Sequence, residues 1–395
     1  MYNLFSINGG VCAPKGFFAD AASAGLRDDG TDDVAAIFSD ELCDVASVFT
    51  TNKMVAAPIK HFLRYKDFQT NFVLINAKNA NAMTGKKGID DIDFILNSIK
   101  EKHPQIDNPI MSSTGIIGVP LNTKAIINAA RSLNLSNKNS LHAAKAIMTT
   151  DRYSKEIAFK VELEDGKSFS IGAMAKGAGM IDPSMATMLC FITTDADVTS
   201  QQMQSHLDKV TKTTFNAISV DGDTSTNDTV ILLSNKKSGA YDGEAFEFAL
   251  ERVMKNLALL MVKDGEGAKK LVAFNVTGAL TDEEAQSTAK ALSDSLLVKT
   301  AIFGEDPNWG RVASTIGASG VECSEESLTI SFEDVIVYKK GEILFDFEQE
   351  NRAAKIMKRD EFSINCDLGI GSGSFTAYGC DLGHEYVSIN ADYRS

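Results

Sequence analysis

The sequence predicts a mixed α/β fold in which helices are layered around β-sheets. Short apolar runs of strand length occur at residues 72–75, 188–192 and 230–233, as expected for strands buried on both faces. Between such runs, apolar residues recur at helical spacing, for example along residues 246–260. This alternation predicts layers that share a core. A chain of 395 residues is long enough for two or three domains or for one large duplicated body.

Local signals place further elements in the first half of the chain. Alanine-rich patterns with helical periodicity predict helices over residues 123–134 and 140–148. Apolar residues alternate on either side of Asp165 and Gly166, which predicts a β-hairpin over residues 159–171. The hairpin leads the chain to a glycine segment that begins at Lys176.

The second half is predicted to be helical at first and to end in hairpins. Apolar residues from 203 to 217 mark one face of a helix. The stripe along residues 246–260 runs into Lys-Asp-Gly at 263–265, which is a C-terminal stop signal. Thr-Asp-Glu-Glu at 281–284 is a capping box that opens another helix. Hairpins are predicted from residue 328 onward.

Composition favours an enzyme that acts on small polar molecules. The chain has 39 basic and 53 acidic residues, and the net charge of −14 argues against nucleic acid or an anionic membrane as a partner. The longest apolar run, residues 257–262, is far shorter than the roughly 20 residues of a membrane span. The first residues do not resemble a signal peptide, so we expect a cytoplasmic protein. The cysteines form no Cys-x-x-Cys pair, which predicts buried reduced thiols without a zinc site.

Residues 176–195 combine a glycine segment, a turn fixed by Pro183, and an abrupt apolar run. Thr187 lies where the turn meets the predicted strand. Three interpretations are open for this threonine. It is the first residue of a strand, where a β-branched side chain fits well. It belongs to a phosphate loop, although the Gly-x-x-x-x-Gly-Lys-Ser/Thr pattern is missing. Or it is a nucleophile.

A nucleophilic threonine needs a base, and no histidine lies near Thr187 in the sequence. Scission between Ala186 and Thr187 would supply one, because a terminal α-amine titrates at about 7.7 to 8.0, roughly two units below lysine. The same hydroxyl could make the cut by attacking the Ala186 carbonyl, which gives an ester that water opens. The hypothesis predicts two chains, residues 1–186 and 187–395.

The same stretch resembles a known self-cleavage site. Lys-Gly-Ala-Gly-Met at 176–180 and Pro-Ser-Met-Ala-Thr-Met-Leu at 183–189 are similar to that site in the ornithine acetyltransferase family, the bifunctional glutamate/ornithine N-acetyltransferases of arginine biosynthesis. The resemblance extends along nearly the whole chain. It implies an N-terminal-nucleophile-like fold, self-cleavage into an alpha chain (1–186) and a beta chain (187–395), and a heterotetramer of two alpha and two beta chains.

The resemblance also implies which residues form the site. Ser-Thr-Gly at 113–115 would supply the oxyanion hole through the Thr114 hydroxyl and the Gly115 N–H. Such donors are needed because an acetyl amide under attack becomes a tetrahedral oxyanion, and one good donor contributes roughly 2.7 to 4 kcal/mol. A substrate-contacting threonine follows the second alanine-rich helix, and its register leaves Thr149 and Thr150 both open.

Four further positions are implied as substrate contacts. By itself, Lys176 would be a solvated charge, but beside the nucleophile its ammonium suits a carboxylate. Glu266 would orient the new α-ammonium or bind the amino group of a cationic substrate. At the C-terminus, where polar tails are most often frayed, Asn390 and Ser395 would touch the substrate.

Other segments have simpler alternatives. The asparagine-rich residues 76–85 are either a ligand-binding loop or an ordinary turn. In the family, serine and cysteine usually stand where this chain has Ala77 and Met83. Asp223 and Asn227 are expected to line the site entrance without binding a metal. Trp309, the one tryptophan, is expected to support the site by packing.

The function implied by the resemblance is acetyl transfer from N-acetylornithine to glutamate through an acetylated Thr187 in ping-pong fashion. Acetyl passes between two amines, so no metal or nucleotide cofactor is expected. Acetyl-CoA as an alternative donor is left undecided by these residues. An aminopeptidase or amidohydrolase of the N-terminal-nucleophile type, with water as acceptor, is the main alternative. A non-catalytic amino-acid-binding remnant is a third.

Overall fold

The computed structural model describes residues 1–182 and 188–392. Its architecture is mixed α/β, with helices layered on sheets, so the fold class predicted from the sequence is confirmed. The strands are β1 (Tyr2–Ile7), β2 (Phe17–Ala22), β3 (Val34–Phe49), β4 (Thr70–Asn76), β5 (Ile110–Ser113), β6 (Lys155–Leu163), β7 (Ser168–Lys176), β8 (Leu189–Thr194), β9 (Thr229–Ser234), β10 (Leu271–Ala279), β11 (Thr329–Phe332), β12 (Val335–Lys339), β13 (Glu342–Ile343), β14 (Glu361–Asp367) and β15 (Gly373–Cys380). The helices are α1 (Ala57–Phe62), α2 (Gly85–Lys102), α3 (Thr123–Ser132), α4 (Ser140–Ala146), α5 (Ser200–Thr213), α6 (Gly243–Lys263), α7 (Asp282–Asp294), α8 (Leu296–Phe303), α9 (Trp309–Ala318), α10 (Phe347–Met357) and α11 (His384–Asp392).

The larger sheet has the strand order β1-β6-β7-β8-β9-β3-β4-β5, and β2 also pairs with β3. Strand β3 is shared between two parts of this sheet. Its first half pairs with β2 and β4, and its second half pairs with β9. The register against β4 shifts between Phe38 and Cys43, and such an irregularity bends a strand.

Strand β8 lies at the centre of the fold and is buried on both faces. Cys190 and Ile192 pack in the core that contains α5 and α6, whereas Leu189 and Phe191 pack in the core that contains α4. Successive side chains of a strand point to opposite faces, so an unbroken apolar run fits a strand between two helical layers.

A second sheet, β13-β12-β11-β14-β10-β15, forms its own core with α7, α9 and α10. Trp309 packs in this core, where its ring stacks on Tyr338 with centroids 5.3 Å apart. The expectation that Trp309 supports the predicted site is therefore wrong: its contacts are with the second sheet.

The strands on either side of residues 183–187 belong to one sheet. β7 ends at Lys176 and pairs antiparallel with β8, with Lys176 opposite Leu189. β8 pairs in parallel with β9, and β9 in turn pairs with β3. Residues from before and after the predicted scission point are therefore interleaved across the sheet.

Most predicted elements are confirmed, with ends that shift by a few residues. The 159–171 hairpin is β6 and β7, and the long stripe is α6, which ends at Lys263 as predicted. The helix predicted to reach Ala217 is wrong at its end. α5 ends at Thr213, because Thr214 has the non-helical angles φ −119° and ψ −88° and Ala217 lies in a separate short 3₁₀ turn.

Two predictions from composition concern the chain as a whole. All six cysteines are free thiols, and all except Cys323 are buried, as predicted. Within residues 1–182 and 188–392, no helix combines the length and the apolar character that a membrane span requires.

Candidate active site

One cavity of about 210 Å³ brings together most of the residues that the sequence singled out. Its walls include these predicted positions: Thr114, Gly115, Thr149, Thr150, Lys176, Glu266 and Asn390. Thr149 and Thr150 both line the cavity, so both remain candidates for the substrate-contacting threonine. Ala186, Thr187 and Ser395 lie outside the described residues.

The walls come from distant parts of the chain that meet at the ends of elements. Thr114 and Gly115 directly follow β5, and Lys176 is the last residue of β7 rather than part of a glycine loop. Glu266 follows the end of α6, and Asn390 lies on α11. Ligands in α/β folds bind at the carboxyl ends of strands, which is where the first two of these walls lie.

The predicted oxyanion hole has a rigid backbone. The Thr114 N–H donates to the Asn76 carbonyl (3.0 Å), and Asn76 Oδ1 accepts from the Ser113 hydroxyl (2.6 Å). Gly115 has φ +130°, and a Cβ at this position would lie 2.2 Å from the carbonyl carbon of Lys78, so only glycine fits. Among the described residues, none accepts a hydrogen bond from the Gly115 N–H.

Lys176 is a buried ammonium in the wall beside the oxyanion hole. Its side chain is 2% exposed, and Nζ donates to Thr114 Oγ1 at 3.4 Å. Burial lowers the pKa of Lys176 from its ordinary value, and the carboxylates of Asp151 and Glu266 oppose that effect. A cation in this position is poorly hydrated, so it is suited to bind an anionic group of a ligand.

A buried ion network, which the sequence did not reveal, holds three walls together. Lys155 Nζ lies 2.7 Å from Asp151 Oδ1 and 2.6 Å from Asp264 Oδ2, and all three side chains are fully buried. Asp151 also accepts from the backbone N–H groups of Thr149 (3.0 Å) and Gly177 (2.7 Å). Burial would raise the pKa of Asp151, but Lys176 and Lys155 outweigh it and lower this pKa to about 2.

Glu266 approaches the cavity over a glycine. Its N–H donates to the Ala178 carbonyl (2.9 Å), and its Oε2 accepts from Asn390 Nδ2 (2.7 Å). A Cβ on Gly179 would lie 2.4 Å from the Glu266 carboxyl carbon. The glycine segment therefore has a second use: it makes room for the carboxylate.

The structure adds Gly179, Met180, Asp221 and Tyr386 to the cavity walls. Of the two residues that were predicted at the entrance, Asp223 lines the cavity and Asn227 does not. Asn227 is buried, and its amide donates to the carbonyls of Ala80 (2.7 Å) and Ser113 (2.8 Å), so it supports the loop behind the site.

Asp221 ties the C-terminal helix to the segment before residue 183. Its carboxylate accepts from the N–H groups of Met180 (2.6 Å) and Ile181 (2.8 Å), and the Tyr386 hydroxyl of α11 donates to it at 3.2 Å. Burial raises the pKa of Asp221 to about 6, although the hydrogen bonds from the two N–H groups act to lower it. No local pattern indicates this residue, because its partners are far away in the sequence.

The asparagine-rich loop is structural. Asn76, Asn79 and Asn81 are buried, and their amides donate to backbone carbonyls of the same loop and its neighbours. Of the two interpretations of residues 76–85, the turn is correct. Among residues 1–182 and 188–392, no group of three or more His, Cys, Asp or Glu is arranged to hold a metal ion.

Comparison with known proteins identifies the family. A sequence model described as the ArgJ family matches residues 18–395. The chain belongs to the ArgJ family. It is 62% identical over 396 residues to the arginine biosynthesis bifunctional protein ArgJ of Wolinella succinogenes, with 100% of each chain covered. It is 44% identical over 407 residues to the glutamate N-acetyltransferase of Methanocaldococcus jannaschii, and this alignment covers 98% of this chain and 99% of that relative.

A solved relative is the ornithine acetyltransferase of Mycobacterium tuberculosis complexed with ornithine. The identity is 26% and the TM-score 0.40, and the alignment covers 48% of this chain and 100% of that one. ArgJ family membership confirms the family predicted from residues 176–189.

Proposed function

We propose that this ArgJ family member transfers the acetyl group of N-acetylornithine to glutamate in arginine biosynthesis. The observation that carries the proposal is the cavity, where backbone and hydroxyl donors, the Lys176 ammonium and three carboxylates surround one space of about 210 Å³. The names of full-length relatives at 62% and 44% identity support the same activity.

The charges of the cavity suit an amino-acid substrate. The Lys176 ammonium binds the α-carboxylate, as a buried cation favours an anion. The Glu266 carboxylate, held by Asn390, binds an amino group. Thr149 and Thr150 also line the cavity, and one of the two supplies a hydroxyl to the substrate. A molecule with one carboxylate and one amine is thus oriented from both ends.

The chemistry proceeds in two acetyl transfers. The Thr187 hydroxyl attacks the acetyl carbonyl of N-acetylornithine while its own α-amine accepts the proton. The Thr114 hydroxyl and the Gly115 N–H stabilise the oxyanion. The carbon–nitrogen bond then breaks, the proton passes to the leaving amine, and ornithine departs. The α-amine of glutamate attacks the resulting ester, which releases N-acetylglutamate and restores the hydroxyl.

Scission must precede this reaction, because it creates the α-amine. We infer that the precursor cuts itself at Ala186–Thr187 into chains 1–186 and 187–395, which assemble as two alpha and two beta chains in the cytoplasm. In the strand order β7-β8-β9-β3, two strands of chain 187–395 lie between strands of chain 1–186, which supports retention of both chains in one body. The reaction uses no metal or nucleotide cofactor, and acetyl-CoA is the alternative donor to assay.

The test is Thr187→Ala, with Thr213→Ala at an exposed position of α5 as the control. Wild type and the control should give two bands on a denaturing gel, with intact masses that match residues 1–186 and 187–395. Thr187→Ala should stay full length and transfer no acetyl. A full-length wild-type chain with activity, or transfer by Thr187→Ala, would refute the proposal.

Acceptor dependence separates transfer from hydrolysis. A transferase consumes N-acetylornithine only when glutamate is present to receive the acetyl group, apart from one turnover per site. An amidohydrolase of the N-terminal-nucleophile type would consume it equally fast without glutamate. Measurement of ornithine release with and without glutamate therefore decides between the two.

A further inference from the structure

Asp151 is a carboxylate behind the cavity wall that the proposed steps do not use. Its side chain is fully buried, and it is not among the residues that line the cavity. Its two oxygens nevertheless reach two cavity walls. Oδ2 accepts from the Thr149 N–H (3.0 Å), and Oδ1 accepts from the Gly177 N–H (2.7 Å). Thr149 lines the cavity and Gly177 directly follows Lys176, so Asp151 ties the threonine wall to the end of β7.

Lys176 is a buried cation that has no direct ion pair with a described residue. No carboxylate among residues 1–182 and 188–392 lies within 4 Å of its Nζ. Burial lowers the pKa of Lys176, and Asp151 opposes this most strongly, ahead of Glu266 and Asp228, whereas Lys155 acts in the same direction as burial. A buried charge requires compensation by nearby groups of opposite charge. Asp151 is therefore the main counter-ion of Lys176.

The position of Asp151 is fixed by a second buried lysine. Lys155 Nζ lies 2.7 Å from Asp151 Oδ1 and 2.6 Å from Asp264 Oδ2. Lys155 is the first residue of β6 and lies opposite Ala175 of β7, so the network is built on the strand beside Lys176. Hydrogen bonds between charged groups are short and strong, which leaves the Asp151 carboxylate little freedom to turn away.

We propose that Asp151 is a positioning residue for substrate binding. It is the fixed counter-ion that keeps Lys176 as an ammonium, so that Lys176 can bind the carboxylate of the acetyl donor. This inference rests on the proposed function, in which Lys176 binds that carboxylate. Asp151 acts through Lys176 and does not touch the substrate itself.

This role predicts that substrate binding by an Asp151 variant depends on pH. Without Asp151, burial and the Lys155 charge lower the pKa of Lys176 further, and buried lysines can titrate as low as roughly pH 5 to 6. Lys176 is then charged at low pH and neutral at high pH. The carboxylate and side-chain ammonium of N-acetylornithine keep their charges from about pH 6 to 9. Glu266 and Asp228 are the same in variant and wild type, so the ratio of the two KM values reports on Lys176.

The experiment compares Asp151→Asn and the double variant Asp151→Asn/Lys155→Met with wild type. Asp151→Asn keeps the size of the side chain and removes its charge. The double variant removes both charges of the pair, a change that proteins often tolerate at buried ion pairs. It still leaves Lys176 without its main counter-ion, because Asp151 affects the pKa of Lys176 more than Lys155 does.

Asp195→Asn is the matched control. Asp195 is 1% exposed and also accepts backbone N–H bonds, from Ser170 (2.7 Å) and Lys15 (2.9 Å). It follows the end of β8 that is remote from Lys176. For each protein, KM and kcat for N-acetylornithine are measured from about pH 6 to 9. Ornithine binding is measured by calorimetry over the same range, and thermal unfolding is recorded.

The expected KM of both Asp151 variants is within about twofold of wild type at about pH 6 and rises to about tenfold or more above it at about pH 9. The control should follow wild type throughout. A KM ratio that does not change with pH would overturn the inference, because structural damage raises KM at every pH. Unfolding of both Asp151 variants while Asp195→Asn folds would also overturn it.

Failure of the proposed function gives a different result. Wild type that transfers no acetyl would refute that function, and ornithine binding would then decide on Asp151 by the same pH criterion. Wild type that binds no ornithine either would overturn both.

Discussion

At the residue scale, Gly179 decides how closely the Glu266 carboxylate can approach the cavity wall. The glycine segment looked like a flexible turn in the sequence, but its close contact with Glu266 gives this position a steric requirement. The same holds for Gly115, where both the positive φ and the contact with Lys78 exclude a side chain. Gly115 is therefore needed for its lack of a Cβ, and Gly179 lets the Glu266 carboxylate lie in its observed position.

Gly179→Ala should displace Glu266 and reduce activity. The added Cβ would lie 2.4 Å from the Glu266 carboxyl carbon, so the carboxylate must move. We expect kcat/KM to fall by about 10²-fold, because small misplacements of orienting groups have effects of that size. The assay is acetyl transfer from N-acetylornithine to glutamate.

Gly317→Ala is the control for this glycine substitution. Gly317 lies within α9, and a Cβ there meets no atom within 4 Å. Its activity should equal that of wild type, and its stability should rise slightly, since alanine favours a helix interior by about 1 kcal/mol. Equal activity in both variants would show that Glu266 is not needed where the structure places it.

At the element scale, α11 is a cover for the cavity that polar contacts hold in place. None of its residues is buried, so apolar packing contributes little to its position. Tyr386 donates to Asp221 and Asn390 donates to Glu266, and both acceptors line the cavity. The element is thus anchored by the groups that face the substrate.

The double variant Tyr386→Phe/Asn390→Ala should weaken substrate binding without loss of stability. Both hydrogen bonds to carboxylates disappear, while the core is untouched. We expect KM to rise about tenfold, which corresponds to about 1.4 kcal/mol, and the thermal midpoint to stay constant. Val387→Ala, at a 67% exposed position of the same helix, is the control and should match wild type. A fall in the thermal midpoint with normal KM would contradict this account of α11.

Local sequence patterns predicted those features of the fold and the site that depend on a few consecutive residues. The Ser-Thr-Gly after a strand, the apolar run of β8 and the stop signal of α6 are all contiguous, so each could be found in the sequence. Asp221 and Tyr386 could not be found in this way, because their contact joins residues 165 positions apart. Lys155 likewise resembles a surface lysine until its two buried carboxylate partners are seen.

At the scale of the whole molecule, the proposed cut would not divide the structure into two bodies. β8 lies between β7, which precedes residue 183, and β9, and its two faces contact different helical layers. Each proposed chain therefore contributes strands to the same sheet. The two cores that contact β8 both contain residues from each proposed chain.

Cleaved enzyme should behave as one particle under native conditions. On size-exclusion chromatography both fragments should elute together, at the volume of uncut Thr187→Ala, and denaturing gels of the peak should show both in equal amounts. Backbone hydrogen bonds and apolar packing between β7 and β8 and between β9 and β3 provide the attraction between the two fragments. Separate elution of the fragments without denaturant would contradict this.

The interleaved sheet also implies that the precursor folds before it is cut. An intact precursor can form β7 and β8 side by side because a short connection keeps them at high local concentration. After scission, β7 and β8 are no longer connected. If the cleaved enzyme is denatured, its two chains must therefore meet by diffusion before β8 can pair with β7 again. Folding would then be a single-chain process that occurs before the enzyme becomes active, and the active form would owe its persistence to slow unfolding.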